Sequence, residues 1–289
     1  MATIRQVRQR IRVAKNIQQI TKAMKMVATA RLKQAQSRVQ ASRPYSNTMR
    51  EMVISLSKAV GGEDAGSLFA VRNPPRNIGF FIITADRGLA GSYNSALLRR
   101  ALEVLQEYDK SRVKLYIAGR KGIQFFKRRG YNVVAEYEIN KTGVSFAEAR
   151  NITRGLQQAF DGEEIDQLFL IYTRFYTAIT QKPVVAQLLP IEQPEDTGDA
   201  ATTEDYIFEP DAQSLLLALI PRYVQGQVYQ ALLESSASEH GARMTAMTSA
   251  TDNAGKMITS LTLVLNRARQ ANITREISEI VGGAEALKG

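Results

Sequence analysis

The chain contains no cysteine, no tryptophan and a single histidine in 289 residues. Without cysteine there is no disulfide, no thiolate nucleophile, no iron–sulfur cluster and no cysteine-ligated zinc. One histidine excludes a histidine-rich metal site, though a site of carboxylates stays open. No segment reaches the roughly 18 apolar residues of a membrane-spanning helix. The longest greasy stretch, Leu215 to Ile220, is far shorter. The opening, Met1-Ala2-Thr3-Ile4-Arg5-Gln6-Val7-Arg8, lacks an apolar run of signal-peptide length. Its basic pattern continues without a cleavage-like break, so the start reads as mature structure. The chain is expected to stay in the cytosol, where it can still dock to a membrane assembly.

What the chain does have is a core's worth of apolar residues, 44% hydrophobic, too many for a disordered protein. Its length allows one large domain or two modest ones. Its formal net charge of +10 is unevenly placed. Residues 1–58 hold 13 Lys/Arg against the single acid Glu51, a local charge of +12. Residues 59–210 are at −2 and residues 211–289 are neutral. The entire excess therefore sits on one terminal segment, which attracts an anionic surface.

That segment has a helical pattern. Apolar residues fall at Ile4, Val7, Ile11, Ala14, Ile17, Met24, Val27, Ala28, Ala35 and Val39, then at Met49, Met52, Val53 and Leu56. Steps of three and four dominate. Pro44 predicts a bend or interruption, and Gly61-Gly62 an end. After Pro210-Asp211 a second helical pattern runs to Val281, through Met247, Ala250, Ala254, Met257, Leu261, Val264, Ala268, Ala271, Ile277 and Ile280. Pro221, Gly226, Gly241 and Gly255 are expected to weaken it locally, and Gly282-Gly283 to stop it. Two such helices at opposite ends of a chain can bury their stripes on each other as a long antiparallel coiled coil.

The middle reads as α/β. Strands are expected at 77–84, 113–118, 131–139, 167–173 and 178–189, with helices at 97–108, 121–129 and 146–159. The alternation predicts a small, mostly parallel, Rossmann-like sheet whose last strand returns antiparallel. The expected organisation is an N-terminal coiled-coil helix at 1–60, an α/β domain at 74–190, a linker and contact segment at 191–209, and a C-terminal coiled-coil helix at 210–289. Residues 191–205 form a polar acidic loop.

Sites for chemistry are weak. Gly119-Arg120-Lys121-Gly122 lies between strand and helix, where a phosphate-binding turn would sit, but reads as an ordinary tight turn. Thr84 to Asn94 follows the first strand and matches neither a P-loop nor a nucleophile elbow; it reads as a conformational or partner-contact loop. Gly255-Lys256 lacks the Ser or Thr of a P-loop. His240 reads as a solvated helix residue. A basic coiled coil binding nucleic acid is the alternative reading, though no base-stacking motif accompanies the basic face.

Three blocks of residues resemble the gamma subunit family of F-type ATP synthases. They are Ile17-Gln18-Gln19-Ile20-Thr21-Lys22-Ala23-Met24-Lys25-Met26-Val27-Ala28 with Ala41-Ser42-Arg43-Pro44-Tyr45; Thr84 to Asn94; and Ala246 to Ala254 with Asn266 to Ile277 and Glu279 to Ala284. They lie in family order over essentially the whole chain.

The resemblance implies a rotor shaft with no active site, cofactor or metal of its own, present once per complex. Its coiled coil would enter a ring of three alpha and three beta subunits. Its α/β domain would sit beside the epsilon subunit and the membrane ring of c subunits, at the cytoplasmic face of a bacterial cell membrane. Nucleic acid is not an implied partner. The matching residues for partner contact and coupling are Met24, Arg243, Gln270, Thr274 and Glu276, and the one-sided charge of the first helix adds Arg8, Lys15, Lys22 and Lys25 as expected contacts. Those for the membrane ring are Tyr206, Phe208 and Glu209. Arg10, Arg12, Arg31 and Lys33 join the basic face. The missing cysteines imply the ordinary bacterial form, without the redox-regulated insertion of chloroplast members.

Overall fold

The structure, a computed structural model, describes residues 3–60, 67–139, 143–191, 209 and 211–286. Two long helices dominate it: α1, Ile4–Val60, of 57 residues, and α5, Ala212–Ala286, of 75. Both far exceed the dozen or so residues of a usual globular helix.

The buried positions of α1 explain why it forms. Val7, Ala14, Thr21, Ala28, Ala35, Met49 and Leu56 are buried at intervals of seven or a multiple of it, with Leu32, Val39 and Val53 between them. That is the heptad repeat of a coiled-coil seam, whose small residues let backbones approach. The expected stripe was broader. Ile17, Val27 and Met52 on α1, and Met257 and Val264 on α5, face solvent instead, because seven-residue spacing leaves them off the seam, and Ile277 and Ile280 do so because they lie past the start of α1.

Pro44 does not interrupt α1, and Pro221 does not interrupt α5. Each proline deprives one carbonyl of its donor, at Gln40 and Leu217. Both residues are exposed, which leaves the freed carbonyls open to solvent rather than buried without a donor. Gly282-Gly283 does not stop α5, which continues to Ala286. Asp211 opens that helix as a cap, accepting the Ser214 amide at 2.8 Å.

The chain divides into two compact units, Met1–Ala28 with Met244–Gly289, and Thr29–Arg243. In the first, Thr251 Oγ1 meets Thr21 Oγ1 at 2.8 Å, and Gly255 faces Gln18. The two helices thus run antiparallel there. In the second, Ser42 bonds Gln230 and Tyr45 faces Gly226, again antiparallel.

The second unit also holds the sheet. Its strands are β1 (Ile78–Ile83), β2 (Val113–Ala118), β3 (Val133–Tyr137), β4 (Gln167–Phe175) and β5 (Gln181–Leu189). Their order is β3-β2-β1-β4-β5. The first four are parallel and β5 is antiparallel to β4. β1 is buried at all six positions, as a central strand covered on both faces must be. Three helices complete the layer: α2 (Tyr93–Leu105), α3 (Arg120–Arg128) and α4 (Phe146–Asp161). Helix α2 starts four residues before its expected Leu97, because the Asn94 side chain accepts the Ala85 amide at 3.0 Å and closes the loop early. Helix α4 opens on a capping box, Ser145 with Glu148. Phe80, Leu97, Leu115, Ile117 and Phe126 fill the core beneath α2 and α3.

Candidate functional site

The basic face of α1 lies where partners can reach it. Arg8, Arg10, Arg12, Lys15, Lys22, Arg31 and Lys33 are exposed, while Met24 and Lys25 are half-buried. The alternation has a simple origin. Apolar and small residues occupy the seam positions, so the charges are displaced to the outer ones. In the same unit, residues 271–283 of α5 are exposed throughout, including Gln270's neighbours Thr274 and Glu276, and Gln270 itself is exposed. Ile273, Ile277, Ile280 and Val281 are thereby left uncovered by the described residues. Glu209 is exposed; Tyr206 and Phe208 lie outside the described residues.

The strand-to-helix turn at Gly119 is already filled by the chain itself. The Arg120 amide donates to Asp86 Oδ1 at 3.0 Å, the Lys121 amide to the Ala85 carbonyl at 3.2 Å, and the Gly122 amide to Thr84 Oγ1 at 2.9 Å. Those are the donors that a phosphate-binding turn would offer its ligand. Here they hold the 84–94 loop against α3, in keeping with the tight-turn reading. Among the described residues no group of His, Asp and Glu is arranged to hold a metal ion.

Arg243 lies in the other unit from Met24 and Gln270, and it is engaged within the chain. Its Nη2 donates to Glu239 Oε1 at 2.6 Å and to the Gly88 carbonyl at 3.3 Å. Its side chain is only 12% exposed. Burial holds the Glu239 carboxyl above its usual range, and the Arg243 charge opposes that shift. The guanidinium thus ties α5 to the loop after β1. Ala85, Ala90 and Tyr93 pack there with Ala242. Burial, reinforced by the Glu239 charge, pushes the Tyr93 phenol far up. The loop presents Leu89 to solvent, 65% exposed, at φ +62°, a left-handed conformation that costs a leucine about 1 kcal/mol.

His240 departs from the solvated residue expected. It is half-buried, in a hollow lined by Arg31, Arg38, Gly143, Val144 and Leu233. Burial lowers its pKa to about 4, and the Arg243 and Arg31 charges add to the shift. An unfolded chain takes up a proton near pH 6.5 that the fold refuses. Stability therefore falls as pH drops from about 6.5 towards 4, by roughly 2 kcal/mol after allowing for solvent screening. Glu239 pulls the other way. Urea unfolding of His240→Gln beside the parent at pH 7 and 4.5 isolates the histidine: the variant gains on the parent at the lower pH. An unchanged difference between the two pH values counts against the assignment.

Reading the sequence did not single out Glu234 and Ser238, which are buried at 4% and 0% exposure. The available signal was polar residues at four-residue spacing, Gln230, Glu234 and Ser238, beside the apolar Ala231, Leu232, Leu233 and Ala237. The strict heptad of α1 was also legible as spacing, but was diluted by the apolar residues beside it.

The fold and the site define a class: a protein of two long terminal helices with a basic outer face and a small α/β sheet, its loop donors spent internally. The comparisons give the family. Residues 3–287 match the family model described as ATP synthase. The ATP synthase gamma chain of Pelotomaculum thermopropionicum is 46% identical over 288 residues, covering 100% of both chains. That of Symbiobacterium thermophilum is 47% identical over 283 residues, covering 98% of each. A chain of the central stalk and c ring of Tetrahymena thermophila mitochondrial ATP synthase is 29% identical with a TM-score of 0.60, covering 80% of this chain and 99% of that one. A rotor chain of the Euglena gracilis enzyme shares the fold at a TM-score of 0.67 and 21% identity, covering 93% and 98%. The chain belongs to the ATP synthase gamma chain family, in its bacterial, cysteine-free form. Its place is the central rotor of the F-type enzyme, a non-catalytic subunit that couples rotation to catalysis at the alpha/beta sites. No described helix is long and apolar enough to cross a membrane.

Proposed function

We propose that the chain turns inside a ring of three alpha and three beta subunits, one copy per complex, with epsilon and the membrane ring of c subunits at its α/β domain. On this reading, rotation of the membrane ring is passed up the helices. Their asymmetric faces then drive the three catalytic sites through successive conformations. The observation that carries it is the segregation along α1: small and apolar residues in the seam, and Arg8, Arg12, Lys15 and Lys22 on exposed positions. A helix carrying +12 beside a neutral one suits a cavity lined with acidic loops.

Met24, Lys25, Gln270, Thr274 and Glu276 are proposed contacts with the ring. Arg243 acts by holding the 84–94 loop that presents Leu89. Tyr206, Phe208 and Glu209 are proposed contacts with the membrane ring, on the cytoplasmic face of the cell membrane.

Single surface pairs contribute little, so the test reverses several charges together. Replacing Arg8, Lys15 and Lys22 with glutamate in the assembled enzyme is expected to lower ATP synthesis about tenfold, with the variant chain still incorporated. ATP synthesis at the parent rate in such an enzyme overturns the electrostatic reading.

A further inference from the structure

Strand β4 is longer than the strand that pairs with it on one side. β1 pairs with β4 only as far as Ile171, whereas β4 continues to Phe175. Residues 172–175 therefore have β5 on one edge and, among the described residues, no strand on the other. An open edge leaves backbone donors and acceptors to be satisfied, and inside a protein they must find partners.

Helix α5 supplies them. Ser238 Oγ donates to the Thr173 carbonyl at 3.1 Å, and the Phe175 amide donates to Glu234 Oε2 at 3.4 Å. Glu234 and Ser238 are one helical turn apart, while Thr173 and Phe175 are two residues apart on one strand edge. The two periodicities coincide, because a turn of helix and two residues of strand span similar lengths.

Helix α1 joins at the same point. Arg43 Nη2 donates to the Phe175 carbonyl at 3.3 Å. The second oxygen of Glu234 accepts from Gln230 Nε2 at 2.9 Å, and Gln230 in turn bonds Ser42 of α1. Around this point Ala231, Leu232, Leu233, Glu234 and Ser235 are all buried, so α5 is covered on every side. One strand end is thus held by both long helices, and all these residues belong to one compact unit.

We propose that Glu234, with Ser238 and Arg43, is the joint through which torque passes between the α/β domain and the two helices, with Glu234 as its positioning residue. The proposal rests on the reading that the α/β domain receives the torque of the membrane ring. An apolar contact alone slides under a sideways load. Directional hydrogen bonds to the backbone of a sheet strand fix the helix against the sheet in both rotation and translation.

The joint is dispensable for ATP hydrolysis by the alpha/beta/gamma complex detached from the membrane, which puts no load on the α/β domain. It is required when hydrolysis has to drive ions through the membrane ring. The test compares Glu234→Ala with Glu234→Gln, which keeps an oxygen to accept the Phe175 amide. In whole ATP synthase reconstituted in vesicles, Glu234→Ala is expected to lower ions pumped per ATP about threefold or more. Hydrolysis by the detached complex stays within about twofold, and Glu234→Gln recovers most of the pumping.

Amide exchange adds a local readout. The Phe175 amide should exchange at least about tenfold faster in Glu234→Ala, and the Phe169 amide in the middle of β4 should not. Undiminished pumping per ATP in Glu234→Ala overturns the proposal, as does a glutamine variant as defective as alanine. Parent enzyme that hydrolyses ATP in sealed vesicles without pumping at all overturns the underlying rotor reading instead. Should Glu234→Ala fail to assemble, Ser238→Ala removes one bond of the same joint. It is expected to lower pumping per ATP about twofold, and parent-level pumping then overturns the proposal.

Discussion

Replacing Gly119 with alanine is expected to abolish folding of the α/β unit. Gly119 has φ +97° and ψ 134°, a backbone conformation that side-chain-bearing residues rarely adopt. A Cβ added there falls 2.2 Å from the Thr84 carbonyl oxygen and 2.7 Å from the Thr84 carbonyl carbon. Neither is the movable tip of a side chain. Both belong to the residue that ties the end of β1 to β2 and to α3, since the Thr84 amide donates to the Ala118 carbonyl at 2.8 Å and Thr84 Oγ1 accepts the Gly122 amide.

Relief requires the end of β1 to move away from β2, which opens the centre of the core. The combined strain and loss of bonds is at least about 4 kcal/mol, enough to remove most of a domain's stability. The Gly130→Ala variant is the control. Gly130 also has positive φ, at 66°, but its nearest neighbour is the Lys110 ammonium at 3.5 Å, and the cost there is about 1 kcal/mol. Circular dichroism melts of the two variants read the difference. A Gly119→Ala protein that melts with the parent would falsify the steric account.

Replacing Arg243 with alanine is expected to cost about 2–4 kcal/mol and to release the loop that follows β1. The side chains of Arg243 and Glu239 are 12% and 21% exposed, so the ion pair is largely out of water. Truncating the arginine leaves the Glu239 carboxylate buried without its cation, where burial already raises its pKa. It also removes the donor to the Gly88 carbonyl. Lysine is a poor substitute, because its single ammonium lacks the second nitrogen that Arg243 sets 3.4 Å from His240 Nδ1 while Nη2 holds Glu239 and Gly88.

Adding Glu239→Gln to Arg243→Ala neutralises the stranded charge and should recover at least about half of the loss, a coupling of the kind that adjacent partners show. Urea unfolding measures the cycle, and amide exchange at Gly88, Leu89 and Ala90 measures the release of the loop. Strict additivity of the two substitutions would show that the pair does not act as a unit. The result also bears on the proposed function, in which Arg243 acts by holding Leu89 in its left-handed, exposed conformation.

Most of the secondary structure was legible as local pattern. The expected core strands at 77–84 and 113–118 appear as Ile78–Ile83 and Val113–Ala118, and Tyr131–Ile139 contains the edge strand Val133–Tyr137. Short apolar runs between turn residues carry that information directly. Two expected interruptions are absent. Pro44 predicts a bend or interruption and Gly282-Gly283 an end, but the long helices pass through both. Propensity is a weak prior inside a long, already propagated helix.

The candidate site was legible in one respect and hidden in another. The charge of the basic face follows from composition alone. The surroundings of Arg243, His240 and Glu234 do not, because each meets groups from far away in the chain: the Gly88 carbonyl, the Arg31 charge and the Phe175 amide.

By itself the sequence determined the two helical termini, the alternating α/β middle, the one-sided positive charge and the family. Each is written in periodicity, composition or contiguous motifs, and needs no knowledge of which segments meet. Only the tertiary structure decided which apolar residues enter the seam and which stay outside. It also decided that the Gly119 turn spends its donors on Thr84, Ala85 and Asp86, and that Arg243 faces inward. Above all, it brought the unpaired end of β4 against one turn of α5. Hydrogen bonds and ion pairs of that kind depend on distance and direction between residues remote in sequence. Those quantities exist only once the chain has folded.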